Sequence, residues 1–304
     1  MPSKGNERRI GLARALSKLG YCSRSQAAQL IRAGRVRVNE LARRDPGTPV
    51  HLAKDCIQVD GAAIDAREKI YLMLNKPRGL VTTASDDQGR ETVYSALKNP
   101  GQSSPQATQW VAPVGRLDKA SEGLLLLTND SEWAARIAAP ETHLEKIYHV
   151  QIDTLVDEKF AQQLVRGVRE KVQQKMQEKM RGKDWEKNGD APLLRARHVR
   201  VLRSGEKNCW LEIVLDEGKN RQIRRMLSSV GVEVLRLVRV AIGPLRLGKL
   251  AKGSHRPLTD EEKRALDRAM AKSRRQPFGV WRQPQTSGVR HRTSDLKSTR
   301  AANS

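Results

Sequence analysis

The sequence predicts an α+β protein. A small helical/β unit spans residues 8–60, a larger domain with a mainly antiparallel sheet spans 70–260, and a basic, largely disordered tail spans 263–304. Three observations carry this reading. Residues 8–40 place apolar side chains at helical spacing, broken by Gly20 and Gly34. From Tyr71 onward, strand-like apolar runs alternate with short helical patterns. From about Arg274 that periodicity is lost, and the composition turns basic and polar.

Within the first unit, Ile10, Ala13, Leu16 and Leu19 recur as one helical face, and Gly20 stops it. Ser23 followed by Gln26 is a capping-box start for a second helix. Ala27, Leu30 and Ile31 supply the apolar face of that helix, and Gly34 ends it. Val36 and Val38 alternate as a strand, and Asp60-Gly61 between Ile57–Val59 and Ile64 predicts a hairpin. A flexible connection is expected near 61–69.

The larger domain takes its strands from Tyr71–Asn75, Gly123–Thr128, Ile147–Ile152, Ala196–Arg203, Cys209–Leu215 and Val232–Ile242. Residues 103–108 read as an exposed loop, and 169–188 as an inserted, largely solvated helix. Trp110, Trp133 and Trp210 read as core residues. A helix is expected from Glu261 to Ala271. From Lys263 to Ser304 the chain carries 11 Lys/Arg against 2 Asp/Glu, a balance suited to salt-sensitive contact with a polyanion.

Charge narrows the partners. The chain of 304 residues has 57 Lys plus Arg and 34 Asp plus Glu, a net +23. That excess favours RNA, DNA or an anionic membrane surface. No apolar run approaches the roughly 20 residues that a membrane span needs, and no strong amphipathic helix favours a membrane surface. The N-terminus lacks the apolar core of a secretory signal. Cys22, Cys56 and Cys209 are far apart, without a CxxC pair, and the six histidines show no metal-ligand spacing. The expectation is a reduced, cytoplasmic protein with no metal and no cofactor, a monomer by default. Arg8, Arg9, Arg14, Arg24, Arg32, Arg35 and Arg37, with almost no acids among them, form a candidate phosphate-binding face.

Residues 8–55 resemble the small RNA-binding domain shared by a ribosomal protein and tyrosyl-tRNA synthetases. The matching segments are Ala13-Arg14-Ala15-Leu16, Gly20-Tyr21-Cys22-Ser23-Arg24 and Ile31-Arg32-Ala33-Gly34-Arg35-Val36-Arg37-Val38-Asn39.

The segment Val114-Gly115-Arg116-Leu117-Asp118-Lys119-Ala120-Ser121-Glu122-Gly123 is a charged turn feeding the apolar run Leu124–Leu127. A carboxylate held where a loop meets a rigid strand is positioned to act as nucleophile or base. Taken alone, the Arg-Leu-Asp triplet is an ordinary turn-capping Asp beside a cation. The longer segment closely resembles the catalytic motif of pseudouridine synthases, and three further blocks match in order. They are Leu74-Asn75-Lys76-Pro77-Arg78-Gly79, Glu145-Lys146-Ile147-Tyr148-His149-Val150, and Glu217–Leu227 continued by Arg236–Leu245. The match covers about residues 8–260 and points to the RsuA/RluB/RluF branch, whose substrates are ribosomal RNA.

That resemblance implies a cofactor-free isomerisation of uridine to pseudouridine, with ribosomal RNA or an assembly intermediate as partner and large-subunit RNA weakly favoured. It implies that Asp118 attacks or deprotonates the sugar, that Tyr148 lies against the flipped uracil, and that Arg224 pairs with Asp118 and keeps it ionised. It also assigns Arg116 to the RNA or to the gap left by the flipped base. Lys76 and Arg221 are further candidate RNA contacts, although Lys76 before Pro77 also suits a turn and Arg221 a solvated helix face. Ser121 stands where the family usually has Thr. The alternative function is a non-catalytic RNA-binding factor in ribosome assembly, for which the basic unit and tail would suffice.

Overall fold

The computed structural model describes residues 9–83, 86, 88–98, 109–170 and 192–273. Arg8, the loop at 103–108, nearly all of the 169–188 insert and the tail beyond 273 lie outside the described residues.

The N-terminal unit contains α1 (Leu12–Lys18), α2 (Arg24–Arg32) and six short strands. These strands are β1 (Ile10–Gly11), β2 (Val36–Val38), β3 (Leu41–Arg43), β4 (Pro49–Val50), β5 (Ile57–Val59) and β6 (Ala62–Ala63). Helix α1 buries Leu12, Ala15 and Leu16. This differs from the expected face because Ile10 is drawn into β1, which pairs with β4, so the helical phase starts after Gly11. The capping box of α2 forms as expected: the Gln26 amide donates to the Ser23 hydroxyl at 3.1 Å, and the Ser23 amide donates to Gln26 Oε1 at 3.0 Å. Two otherwise orphan N–H groups are thereby satisfied. Strands β3-β2-β5-β6 form an antiparallel sheet in that order, and the Asp60-Gly61 turn joins β5 to β6.

The arginines of this unit do not share one face. Arg9, Arg14, Arg24, Arg32, Arg35 and Arg37 are exposed. Arg37, however, sits between the buried Val36 and Val38, so it points away from the core that holds the helices. Arg35 is forked onto Asp60 at 2.8 and 2.5 Å, which neutralises much of its charge. The connection expected to be flexible is bonded on both sides. The Arg67 amide donates to Leu19 O at 3.0 Å and Lys69 Nζ to Lys18 O at 2.9 Å. From the other side, Asn129 Nδ2 donates to Glu68 O at 2.8 Å.

The second unit is built on β7 (Tyr71–Lys76), β8 (Ala112–Val114), β9 (Glu122–Thr128), β10 (Lys146–Ile152), β13 (His198–Ser204), β14 (Cys209–Leu215), β15 (Val234–Ile242), β16 (Leu245–Arg246) and β17 (His255–Pro257). A separate pair, β11 (Val168–Arg169) with β12 (Leu193–Leu194), flanks the sheet. The main sheet runs β13-β14-β10-β15-β9-β7-β17, with β8 on β9 and β16 on β15. Every pairing is antiparallel except β9 with β15, which run parallel through Val238↔Glu122 and Arg239↔Gly123. Helices α3 (Ser131–Ala138), α4 (Glu158–Arg166), α5 (Gln222–Ser229) and α6 (Asp260–Ser273) pack against it. Helix α6 contains the expected Glu261–Ala271 segment. Among the described residues no helix is long and apolar enough to cross a membrane.

Strand β9 is buried along its whole length, which explains its unbroken apolar run. Leu124 and Leu126 join Met73, Trp133, Leu266 and Met270 on one side. Leu125 and Leu127 join Leu72, Leu74, Val93 and Leu117 on the other. A further core lies where α4 and α5 cover Val150, Ile152, Leu211 and Ile213. Tyr148 packs against both this core and the Leu125 core, so it marks the seam between the two halves of the sheet. Trp133 is core as expected, whereas Trp110 and Trp210 are only half-buried.

The parallel junction is tight. A Cβ at Gly123 (φ +101°) would lie 2.3 Å from Arg239 O and 2.8 Å from Arg239 N. Both atoms are backbone, so neither has a rotamer to give way. Gly123→Ala is expected to destabilise the protein by about 3 kcal/mol or more, measured by urea denaturation of the full chain. An unchanged midpoint would show that the two strands separate freely.

Candidate active site

Residues Asp118–Ser121 form a turn that leads directly into β9 and is closed by the Ser121 amide donating to Asp118 O at 2.9 Å. All four of its carbonyls accept hydrogen bonds from residues distant in sequence or from the turn itself. Lys76 Nζ donates to Asp118 O at 3.2 Å and to Ser121 O at 2.8 Å. The Gly79 amide donates to Lys119 O at 2.8 Å, and Arg224 Nη2 donates to Ala120 O at 3.2 Å. Just upstream, the Thr82 hydroxyl donates to Leu117 O at 2.7 Å. At the far end, the buried Glu122 carboxylate is forked by Arg236 at 3.0 Å and met by Lys252 at 2.9 Å.

This geometry corrects the reading of Lys76 as an RNA contact. The side chain is 0% exposed, so it does not reach a ligand on the surface. Its remaining donor goes to Pro77 O at 3.1 Å. Burial pulls its pKa from the ordinary 10.5 down to about 8, against the pull of Asp118 and Glu122. The Lys-Pro dipeptide is a backbone clamp.

It also corrects the expected pairing of Arg224 with Asp118. The cation on the Asp118 carboxylate is Arg221, whose Nη1 lies 3.4 Å from Oδ2. Arg221 takes the left-handed conformation (φ +48°) immediately before α5. That conformation is costly for a residue with a Cβ, of order 1 kcal/mol, and such strain is commonly kept at functional sites. Arg224, one turn into α5, instead ties two backbones together: Nη2 holds Ala120 O, and Nη1 donates to Val234 O at 3.2 Å. Burial, then the Arg221 charge, lowers its pKa, while Asp118 works in the opposite direction.

Around the turn lies a cavity of about 610 Å³, lined by Arg116, Asp118, Lys146, Tyr148, Arg221 and Arg239, among others. The Asp118 side chain is 32% exposed and faces this space. Arg116 is exposed beside it, two residues before Asp118. Tyr148 comes from the middle of β10 and stands directly opposite Arg239 of β15. Of the residues chosen from the sequence, the structure brings Asp118, Tyr148, Arg116, Arg221 and Arg224 together, leaves Lys76 beneath the floor, and leaves the N-terminal arginines on the other unit. The sequence reading gave no role to Lys146 and Arg239. The signal for Lys146 was its i, i+2 spacing from Tyr148, which puts both on one strand face.

A sequence model of the RNA pseudouridylate synthase family matches residues 70–229, and one of the S4 domain matches residues 10–55. An RNA pseudouridine synthase of Aquifex aeolicus is 34% identical over 86% of this chain and 95% of its own length. The ribosomal large subunit pseudouridine synthase B of Bacillus subtilis is 33% identical over 86% of this chain and 96% of its own. A crystal structure described as a pseudouridylate synthase superposes with a TM-score of 0.54 at 27% identity, covering 84% of this chain and 99% of the other.

Lys76→Met keeps the bulk of the buried side chain and removes its three donors. Amide hydrogen exchange at Gly79 and Ser121, the donors to Lys119 O and Asp118 O, is expected to accelerate at least about tenfold while core amides of β9 hold their protection. Equal protection in both proteins would show that the turn stands without the clamp.

Proposed function

This chain belongs to the RNA pseudouridylate synthase family, and we propose that it isomerises a specific uridine of ribosomal RNA, with Asp118 as the catalytic carboxylate. The reaction breaks the bond from ribose C1′ to uracil N1 and forms one from C1′ to C5. The C5 hydrogen leaves as a proton and N1 gains one, so the atoms balance without an oxidant, reductant or co-substrate. Asp118 either attacks C1′ or removes a proton from the sugar, and the Arg221 guanidinium lies against its carboxylate.

The observation that carries this reading is the fixed placement of Asp118 at the edge of a cavity that also holds an aromatic face and several cations. A base inside a helix is out of reach, so the target is extruded or lies in a loop. Tyr148 offers the splayed base a stacking surface. Arg116 beside Asp118 is suited to a phosphate or to the space that the base vacates. The cost of unstacking, a few kcal/mol, is offset by phosphate contacts from the S4 unit, with Arg9, Arg14, Arg24 and Arg32 the candidates. The large-subunit substrate named for the Bacillus subtilis relative favours large-subunit RNA here. A cytoplasmic location and a monomeric state belong to the same proposal.

A pseudouridine map of ribosomal RNA from a deletion strain, compared after adding back wild type or Asp118→Asn, tests it. One site is expected to disappear on deletion and to return with wild type alone, while the variant binds RNA within about threefold of wild type. A site restored equally by Asp118→Asn would remove the catalytic assignment. A map unchanged on deletion would point away from a non-redundant ribosomal target and toward another RNA.

A further inference from the structure

Two cationic side chains lining the cavity are not used by the chemistry above. Arg239 is 95% buried, being 5% exposed. Its Nε donates to Leu124 O at 2.8 Å, which fixes the plane of the guanidinium. Its Nη2 is fully buried and has no hydrogen-bond partner among the described residues. A buried donor left unpaired is costly, and such groups are rare enough in folded proteins to call for an explanation. Lys146 lies two residues from Tyr148 on the same strand and lines the same cavity. Its ammonium makes no hydrogen bond or ion pair among the described residues, and Arg239 is close enough for its charge to add to burial in lowering the lysine pKa to about 8. The strand register sets Tyr148 opposite Arg239, so a ring stacked on Tyr148 has donors beside it from both β10 and β15.

We propose that Arg239 and Lys146 hold the two carbonyl oxygens of the extruded uracil and so select uridine against cytidine. The chemistry of the ring favours a pair. For C5 to take the place of N1 within one pocket, the ring turns half a revolution about the line through N3 and C6. That rotation exchanges C2=O with C4=O. Two donors that fit the oxygens of uridine therefore fit those of pseudouridine, and the turned base is held as well as the starting one. Cytosine fails because its 4-position carries an amino donor, which would face a buried cation. Sites that leave buried polar groups unmatched discriminate strongly.

This rests on the isomerase reading, and the test separates the two. Synthetic RNA spanning the mapped site is prepared with uridine, 2-thiouridine or 4-thiouridine at the target, since sulfur is the poorer acceptor. Isomerisation of each by wild type, Arg239→Gln and Lys146→Met is followed at subsaturating RNA. Wild type is expected to lose at least about fivefold in kcat/KM with each thio substitution. Arg239→Gln is expected to lose nothing further at one of the two positions, and Lys146→Met nothing further at the other. Lys146 is only half-buried, so its variant keeps the test alive if Arg239→Gln folds poorly. Thio effects of equal size in all three proteins would overturn the proposal while leaving the isomerase intact. Failure of wild type to convert the uridine RNA would instead overturn the isomerase reading on which it rests.

Discussion

The structure depends on how the carbonyls of one four-residue turn are held. Asp118–Ser121 has no helix or strand of its own, and a turn that short would ordinarily fluctuate. Here donors from β7, from the segment just after it and from α5 reach in and bond its backbone oxygens. The carboxylate is therefore positioned through its main chain, and its side chain is left to the cavity and to Arg221. The role proposed for Asp118, whether attack or proton removal, would gain from this hold, because a displacement of about 1 Å is enough to cost two orders of magnitude in rate.

Lys76 shows why the clamp takes a cation. An ammonium has three donors and no acceptor. All three are used, on Pro77 O, Asp118 O and Ser121 O. Burying such a charge is expensive, and the fall of its pKa to about 8 records that cost. The same buried region carries the parallel contact of β9 with β15, where Gly123 lets two backbones approach and sets Arg239 against the cavity. Turn, junction and seam are consequently one construction: the strand that follows Asp118 is the one both halves of the sheet share.

Much of this was legible from local pattern. The capping box at Ser23, the hairpin at Asp60-Gly61, the strands and the Asp118 segment all follow from spacing or motif, because each is decided by neighbours in sequence. What was missed is decided at long range. Lys76 in a strongly basic chain looks like one more phosphate contact, and nothing in its neighbourhood announces that residues 118–121 will close over it. Arg221 takes the place at Asp118 expected of Arg224, and Arg224 ties Ala120 O to Val234 O instead, because the left-handed Arg221 sets where α5 begins. The face of α1 shifts because Ile10 is captured by a partner forty residues away. The parallel pairing of β9 with β15 is equally invisible to a reading that sees one strand at a time.

The most direct test of the clamp is a double-mutant cycle on the single-turnover rate constant for isomerisation, using wild type, Lys76→Met, Arg224→Met and the double variant. If both side chains act by holding the same turn, each single change lowers the rate by about a hundredfold, and the second adds no more than about threefold once the first has released the backbone. Losses that multiply in full would contradict the account, since they would mean that the two cations serve the reaction independently and that the turn is not their common object.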